Sequence, residues 1–162
     1  MHIVLVEPEI PQNTGNIVRT CAATDSTLHL VRPLGFSTED KYLKRAGLDY
    51  WDKVNIYYYN SIQEVLNKYK DNNFYFSSSK SAIRYDKIQY TEKDLLFFGK
   101  ETEGLPDSLL KKYPDKSIRI PMSKNIRCLN LANSVSIILY EALRQLNFLD
   151  LSKKGKYGNL VD

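Results

Sequence analysis

Three stretches of the sequence combine glycine, proline and polar side chains in a way that could serve chemistry. The first, NTGNIVR (13–19), follows an apolar run and sets Arg19 four residues after Gly15. The second, FFGKETEGLP (97–106), ends an apolar run in Gly99, with Glu101 close behind and Gly104 and Pro106 before the next helical segment. The third, IRIPMSKNIRCLNLANSV (118–135), is a strand cut by Pro121, an irregular loop, and a helix starting near Asn130. A glycine at the carboxyl end of a strand lets a ligand approach the backbone, and open α/β sheets bind ligands at that edge. Neither GxGxxG nor GxxxxGK[ST] occurs, so the single glycine of NTGN suits a tight turn rather than a pyrophosphate cradle. Each stretch alone also has a plain structural reading. Asn13 or Thr14 caps a helix with Arg19 toward solvent; the glycines of the second stretch serve a turn; Asn130 caps the last helix. Their common position in loops that end strands points to one ligand crevice.

Other chemistries are poorly served. His2 and His29 are the only histidines, and neither lies in these stretches. Cys21 and Cys128 are far apart and form no CxxC pair, which argues against zinc and against a disulfide framework. No metal site is expected. Cys128 as a nucleophile would lack a histidine to activate it.

The elements that must position these residues follow from hydrophobic periodicity. HIVLV (2–6), LHLV (28–31), VNIYYY (54–59), NFYFSS (73–78), LLFFG (95–99) and KSIRIP (116–121) read as strands. Helices are expected at 16–23 after an NTGN loop, at 37–47 with Ser37 and Asp40 as a cap and Gly47 as a stop, and at 61–69. Ser61 and Glu64 form a capping box for the last of these. SKSAIRYDKIQYTEKD reads as a polar loop, and Pro106 fits a first helical position. In the C-terminal helix Leu131, Val135, Ile138, Leu139, Ala142 and Leu146 share one face. Alternating strands and helices with nearly continuous apolar strands predict an α/β fold with a mostly parallel sheet covered on both faces.

The 162 residues fit one domain, 1–162, with 152–162 expected to be a mobile basic tail. Apolar residues make up 43% and charged residues 26%, ordinary for a soluble protein, and no apolar run approaches the roughly 20 residues of a membrane span. MHIVLVEPE lacks the features of a signal peptide, so a cytoplasmic location is expected. The net charge of +4 and the 12 tyrosines permit, without requiring, an acidic partner such as RNA.

NTGNxxR, FGxETxGLP and IRIPM…RxLNLANSV…YEALRQ, in this order, closely resemble the three motifs of the SPOUT superfamily of RNA ribose methyltransferases. EPEIPQNTGNIVR, PLGF (33–36), AGLDYW (46–51) and YEALRQL (140–146) look like its small single-domain branch, which 2′-O-methylates the wobble nucleotide of certain tRNAs. The likeness runs from Ile3 to about Leu146.

The resemblance implies a C-terminal deep trefoil knot, an exception to the rule that chains do not knot. It implies S-adenosylmethionine held chiefly by backbone groups at Ser77, Gly99, Ile120 and Cys128, with Met122, Leu129 and Asn130 as neighbours. It implies a homodimer with a shared active site, in which Arg19 reaches a cofactor held by the other subunit and organises the alkoxide or the adjoining phosphate. Asn13, Arg127 and Tyr140 would face the tRNA anticodon stem-loop, with Tyr140 equally placed for a core or dimer contact. Glu101 and Asn130 would hold the loops by hydrogen bonds. The sequence departs from the family's usual pattern at Cys128, where serine is common, at Ser77, where relatives often carry an apolar residue, and at Glu103, where many are basic. Rival readings are a ribose methyltransferase for another tRNA position or for rRNA, and a non-catalytic RNA-binding knot protein.

Overall fold

The computed structural model describes residues 1–37 and 50–156. Among these residues seven strands form one sheet in the order β3-β2-β1-β6-β4-β7-β5: β1 (His2–Val6), β2 (Thr27–Val31), β3 (Ile56–Tyr59), β4 (Phe74–Ser77), β5 (Ile83–Arg84), β6 (Leu95–Phe98) and β7 (Ser117–Arg119). Every strand pairing is parallel. Parallel strands need covered faces, and the side-chain alternation provides them. Ile3 and Leu5 point to one core with Leu28, Leu30, Leu96 and Phe98, while Val4 and Val6 point to the other with Val31, Phe76 and Phe97.

Helices α1 (Pro11–Ala23) and α4 (Leu131–Gln145) cover the first face, packed side by side. The apolar stripe foreseen for α4 is buried at Leu131, Val135, Ile138, Leu139 and Ala142, and Leu143 and Ala132 join it. The short helices α2 (Ile62–Lys68) and α3 (Asp107–Lys112) lie on the second face, contributing Val65 and the partly buried Leu109 and Leu110. At the start of α2, Ser61 Oγ accepts from Glu64 N at 3.2 Å, and the Glu64 carboxylate accepts from Asn60 N at 2.8 Å.

Several boundaries differ from the sequence reading. NTGN is not a loop: α1 begins at Pro11, and Asn13, Thr14 and Gly15 are buried inside its first turns. Pro11 starts the helix because its missing N–H would have no partner there. Ile10 is the N-cap and offers no side-chain bond, so neither Asn13 nor Thr14 caps. Strand 54–59 starts at Ile56, and 116–121 shortens to Ser117–Arg119. The polar loop contains the short strand β5, whose Ile83 and Arg84 pair with Ile118 and Arg119. Pro106 is the N-cap of α3 rather than its first helical residue. Residues 38–47 of the helix expected at 37–47 and the end of the expected tail, 157–162, lie outside the described residues.

Candidate active site

The loops leaving β4, β6 and β7 meet at the carboxyl edge of the sheet, beside the start of α1. Together they enclose a cleft of about 510 Å³. Ser77, Gly99, Ile120, Met122, Arg127, Cys128, Leu129, Asn130 and Asn13 all line it. Arg19 and Tyr140 do not: both are exposed, on α1 and α4.

The loop after β6 is shaped by its glycines. A Cβ on Gly99 would lie 2.1 Å from the Gly104 carbonyl carbon and 2.2 Å from Leu105 N, so no side chain fits where the loop folds back on itself. Gly104 takes φ +74°, a left-handed conformation that glycine adopts without penalty, and its N–H donates to Lys100 O at 2.9 Å.

A chain of hydrogen bonds then ties the three sequence stretches together. Glu101 accepts from Glu9 N at 2.8 Å, Ile10 N at 3.3 Å and Asn13 Nδ2 at 2.8 Å. Asn13 Oδ1 accepts from Asn130 Nδ2 at 2.9 Å, and Asn130 Oδ1 caps α4 by accepting from Ala132 N at 2.9 Å and Asn133 N at 3.3 Å. Glu9 answers in the opposite direction, its carboxylate accepting from Thr102 N at 3.1 Å and from Thr102 Oγ1 at 2.8 Å. A helix N-terminus leaves N–H groups without partners and favours negative charge. Here the Glu101 carboxylate, nearly ninety residues away in sequence, takes that place at the start of α1.

Ionic contacts rim the cleft. Lys100 Nζ lies 3.0 Å from Glu103 and 3.4 Å from Glu7, and these partners, Glu103 foremost, hold its ammonium above the usual lysine range. Lys80 Nζ lies 2.6 Å from Asp107 and keeps that carboxyl below the usual range. The two cysteines differ: Cys128 is exposed at the cleft, whereas burial pushes the Cys21 thiol up to about 12, leaving it inert. Both histidines sit together away from the cleft. His2 Nδ1 and His29 Nε2 are 3.0 Å apart, and His29 Nδ1 is 3.2 Å from the Tyr59 hydroxyl.

S-adenosylmethionine needs an apolar slot for its base, polar groups for its ribose and amino-acid ends, and room. Ile120, Met122, Leu129 and Leu131 supply apolar lining, and Ser77, Ser78 and Ser134 supply hydroxyls. Gly99 leaves backbone open to approach, and the cleft volume lies in the usual range for such ligands. The residues fit the group. Glu9, Thr102 and Lys80 escaped the sequence reading. Glu9 lies in EPEIPQNTGNIVR and Thr102 in FGKETEGLP, but nothing local pairs the two. Among the described residues no group of three or more His, Cys, Asp or Glu is placed to hold a metal ion, and no helix is long and apolar enough to cross a membrane.

Comparison with known proteins matches residues 1–140 to the model of the SpoU rRNA Methylase family. The chain belongs to this family. The match takes in all seven strands and all three loops of the cleft. A relative from Listeria monocytogenes, provisionally named a tRNA (cytidine(34)-2'-O)-methyltransferase, is 55% identical over 99% of this chain and 96% of its own length. A tRNA (cytidine(34)-2'-O)-methyltransferase from Methylovorus glucosotrophus is 46% identical, covering 90% of this chain and 96% of that one. Among solved structures, one described as giving insights into the 2-OH methylation of C/U34 on tRNA superposes with a TM-score of 0.85 at 42% identity, covering 90% of this chain and 95% of that one. An AdoMet-bound rRNA methyltransferase from Sinorhizobium meliloti gives a TM-score of 0.78 at 26% identity, covering 90% of this chain and 56% of that longer one. SpoU methylases use S-adenosylmethionine, the group whose requirements the cleft meets.

Proposed function

We propose that the protein is an S-adenosylmethionine-dependent tRNA 2′-O-methyltransferase acting on the ribose of the wobble nucleotide, cytidine or uridine 34. The observation that carries this reading is the cleft itself, built from three loops locked by the Glu101–Asn13–Asn130 chain. Relatives 46% and 55% identical over nearly the whole chain, named for that reaction, support the choice of substrate.

Ser77, Gly99, Ile120, Met122, Cys128, Leu129 and Asn130 hold the cofactor in this reading and Arg127 faces the RNA, whereas Asn13, expected to face it too, is buried with both amide atoms engaged and serves instead to join the loops. When bound, S-adenosylmethionine supplies a methyl on a sulfonium, an electrophile open to in-line attack by the ribose 2′-hydroxyl. The protein's work is positioning and charge. The carboxylates lining the cleft are engaged, Glu101 by three donors and Glu103 by Lys100, and both histidines are elsewhere. A guanidinium is always charged and cannot serve as an ordinary base. Arg19 therefore stabilises the developing alkoxide or the adjoining phosphate, while the hydroxyl proton passes to solvent water as the sulfonium's S–C bond would break.

Arg19 is exposed outside its own cleft, which favours action across a dimer seam. Such a seam is supported by the outer face of α4, where Ile137 and Tyr140 turn outward, 36% and 46% exposed. Tyr140 then lies on the seam or against RNA. A trefoil threading of the loop at 120–130 and a cytoplasmic location belong to the same reading.

The test is nucleoside analysis of tRNA incubated with the protein and S-adenosylmethionine. Methylation at the wobble ribose is expected, and methyl at another position or in rRNA instead would refute the substrate assignment. Arg19→Ala should abolish transfer and leave cofactor binding intact; parallel loss of both would refute its role.

A further inference from the structure

Outside the cleft, one face of the sheet carries cations interleaved with tyrosines. The Arg19 guanidinium carbon lies 5.2 Å from the centre of the Tyr50 ring, and Lys53 Nζ lies 5.3 Å from the same ring. At the carboxyl edge of the sheet the Arg32 guanidinium carbon lies 5.3 Å from the centre of Tyr58. Tyr58 is 38% exposed, and with Arg32, Leu34 and Phe36 it lines an open depression of about 470 Å³.

These residues share one side of the sheet. Ile56 packs into the same core as Tyr50, Trp51 and Val54, and Tyr58, two residues on in β3, points the same way. The stripe runs from the middle of α1 to the edge where β2 and β3 end. That is the edge that also bears the cleft. β3 is separated from β6 by β2 and β1, about 14 Å at the usual strand spacing.

The charges are also disposed differently from those of the cleft. Lys80 and Lys100 are neutralised by Asp107, Glu7 and Glu103, whereas Arg19, Arg32 and Lys53 form no ion pair among the described residues. A cation held over an aromatic ring and lacking a carboxylate is pre-positioned for a phosphate. The free face of the ring is a platform for an unpaired base.

We propose that Arg19, Tyr50, Lys53, Tyr58 and Arg32 form a single-stranded RNA-binding stripe. An unstacked base beside the modified nucleotide lies against Tyr58 and Arg32, and Arg19 and Lys53 hold backbone phosphates. The inference rests on the RNA-methylation reading above and adds to it a surface that grips the RNA next to the acceptor ribose. Stacking is indifferent to base identity, so this surface contributes affinity and register more than sequence choice.

The experiment measures binding of an anticodon stem-loop RNA to the full-length protein by fluorescence anisotropy across a range of salt. Tyr58→Ala should weaken binding about tenfold, and Tyr58→Trp should keep it. Lys53→Ala should weaken binding several-fold and flatten the salt dependence by about one phosphate contact, and Arg32→Ala should weaken binding several-fold through the lost base contact. Cofactor affinity and melting temperature should stay at wild-type values in all of them, which separates a lost contact from a damaged fold. Heparin binding distinguishes stacking from plain charge: Tyr58→Ala should leave it unchanged, and an equal loss for heparin and RNA would overturn the base platform. Wild-type protein that methylates tRNA while the variants bind RNA normally would overturn the stripe alone. Wild-type protein that neither binds nor methylates tRNA would overturn the underlying reading together with the stripe.

Discussion

Replacing Glu101 with glutamine tests the hydrogen-bond chain that builds the cleft. The carboxylate presents only acceptors: Oε1 serves Asn13 Nδ2 and Ile10 N, and Oε2 serves Glu9 N. Glutamine of the same shape keeps one oxygen and turns the other position into a donor. If the oxygen stays toward Asn13 and Ile10, the new NH₂ faces the N–H of Glu9. Asn13 cannot turn its amide to compensate, because its oxygen already accepts from Asn130. One hydrogen bond is lost outright and two lose their charge assistance, a cost of about 2–3 kcal/mol. For a chain of this size that lowers the melting temperature by about 5–10 °C. The same change frees the loop after β6 from the start of α1, so S-adenosylmethionine affinity should fall about tenfold, equivalent to about 1.4 kcal/mol. Differential scanning calorimetry and isothermal titration calorimetry read the two effects. A melting temperature within 1 °C of wild type would refute the claim that Glu101 caps α1 from a distance, and unchanged affinity would detach the network from the cleft.

Gly99→Ala places a Cβ against the backbone of Gly104 and Leu105, which cannot yield as a flexible side chain would. Cofactor affinity should drop by more than tenfold in calorimetry while far-ultraviolet circular dichroism stays native; wild-type affinity would show that the loop has slack. His29 should make stability pH-dependent. Burial, then the neighbouring His2 and Lys68, push its imidazole down to about 3, so the folded chain keeps it neutral while the unfolded chain takes up a proton near the ordinary value of about 6.5. Stability is therefore complete above that ordinary value and falls as pH drops toward 3, by about 1.4 kcal/mol at pH 5.5. Urea titrations at pH 7.5 and 5.5 should give a smaller difference for His29→Phe than for wild type, and an equal difference would refute the assignment.

The architecture was legible because parallel strands buried on both faces need continuous apolar runs, and HIVLV, TLHLV and LLFF are such runs. The α4 stripe was legible for the related reason that a helix with one buried face repeats every three to four residues. What periodicity could not reach was the context of NTGN. In a loop Asn13 reads as a cap. Pro11 starts the helix earlier, and Asn13 becomes a buried link between Glu101 and Asn130. Strand β5 escaped notice because two residues carry no measurable period, and its pairing with β7 is a long-range event.

The sequence by itself determined the composition of the cleft: glycine where the backbone doubles back, a proline that cuts a strand, and an asparagine that caps the last helix. Local geometry constrains each of these, so residue type and position reveal them. Only the tertiary structure decided how the pieces are joined. The Glu101 carboxylate ties the loop after β6 to the start of α1 through Glu9 N, the N-cap N–H of Ile10 and the Asn13 side chain. It also decided that Arg19 and Tyr140 stand on the outer surface, away from the cleft in their own chain. Hydrogen bonds between residues about ninety and more apart depend on how strands are ordered in the sheet, and no pattern within a single segment encodes that order.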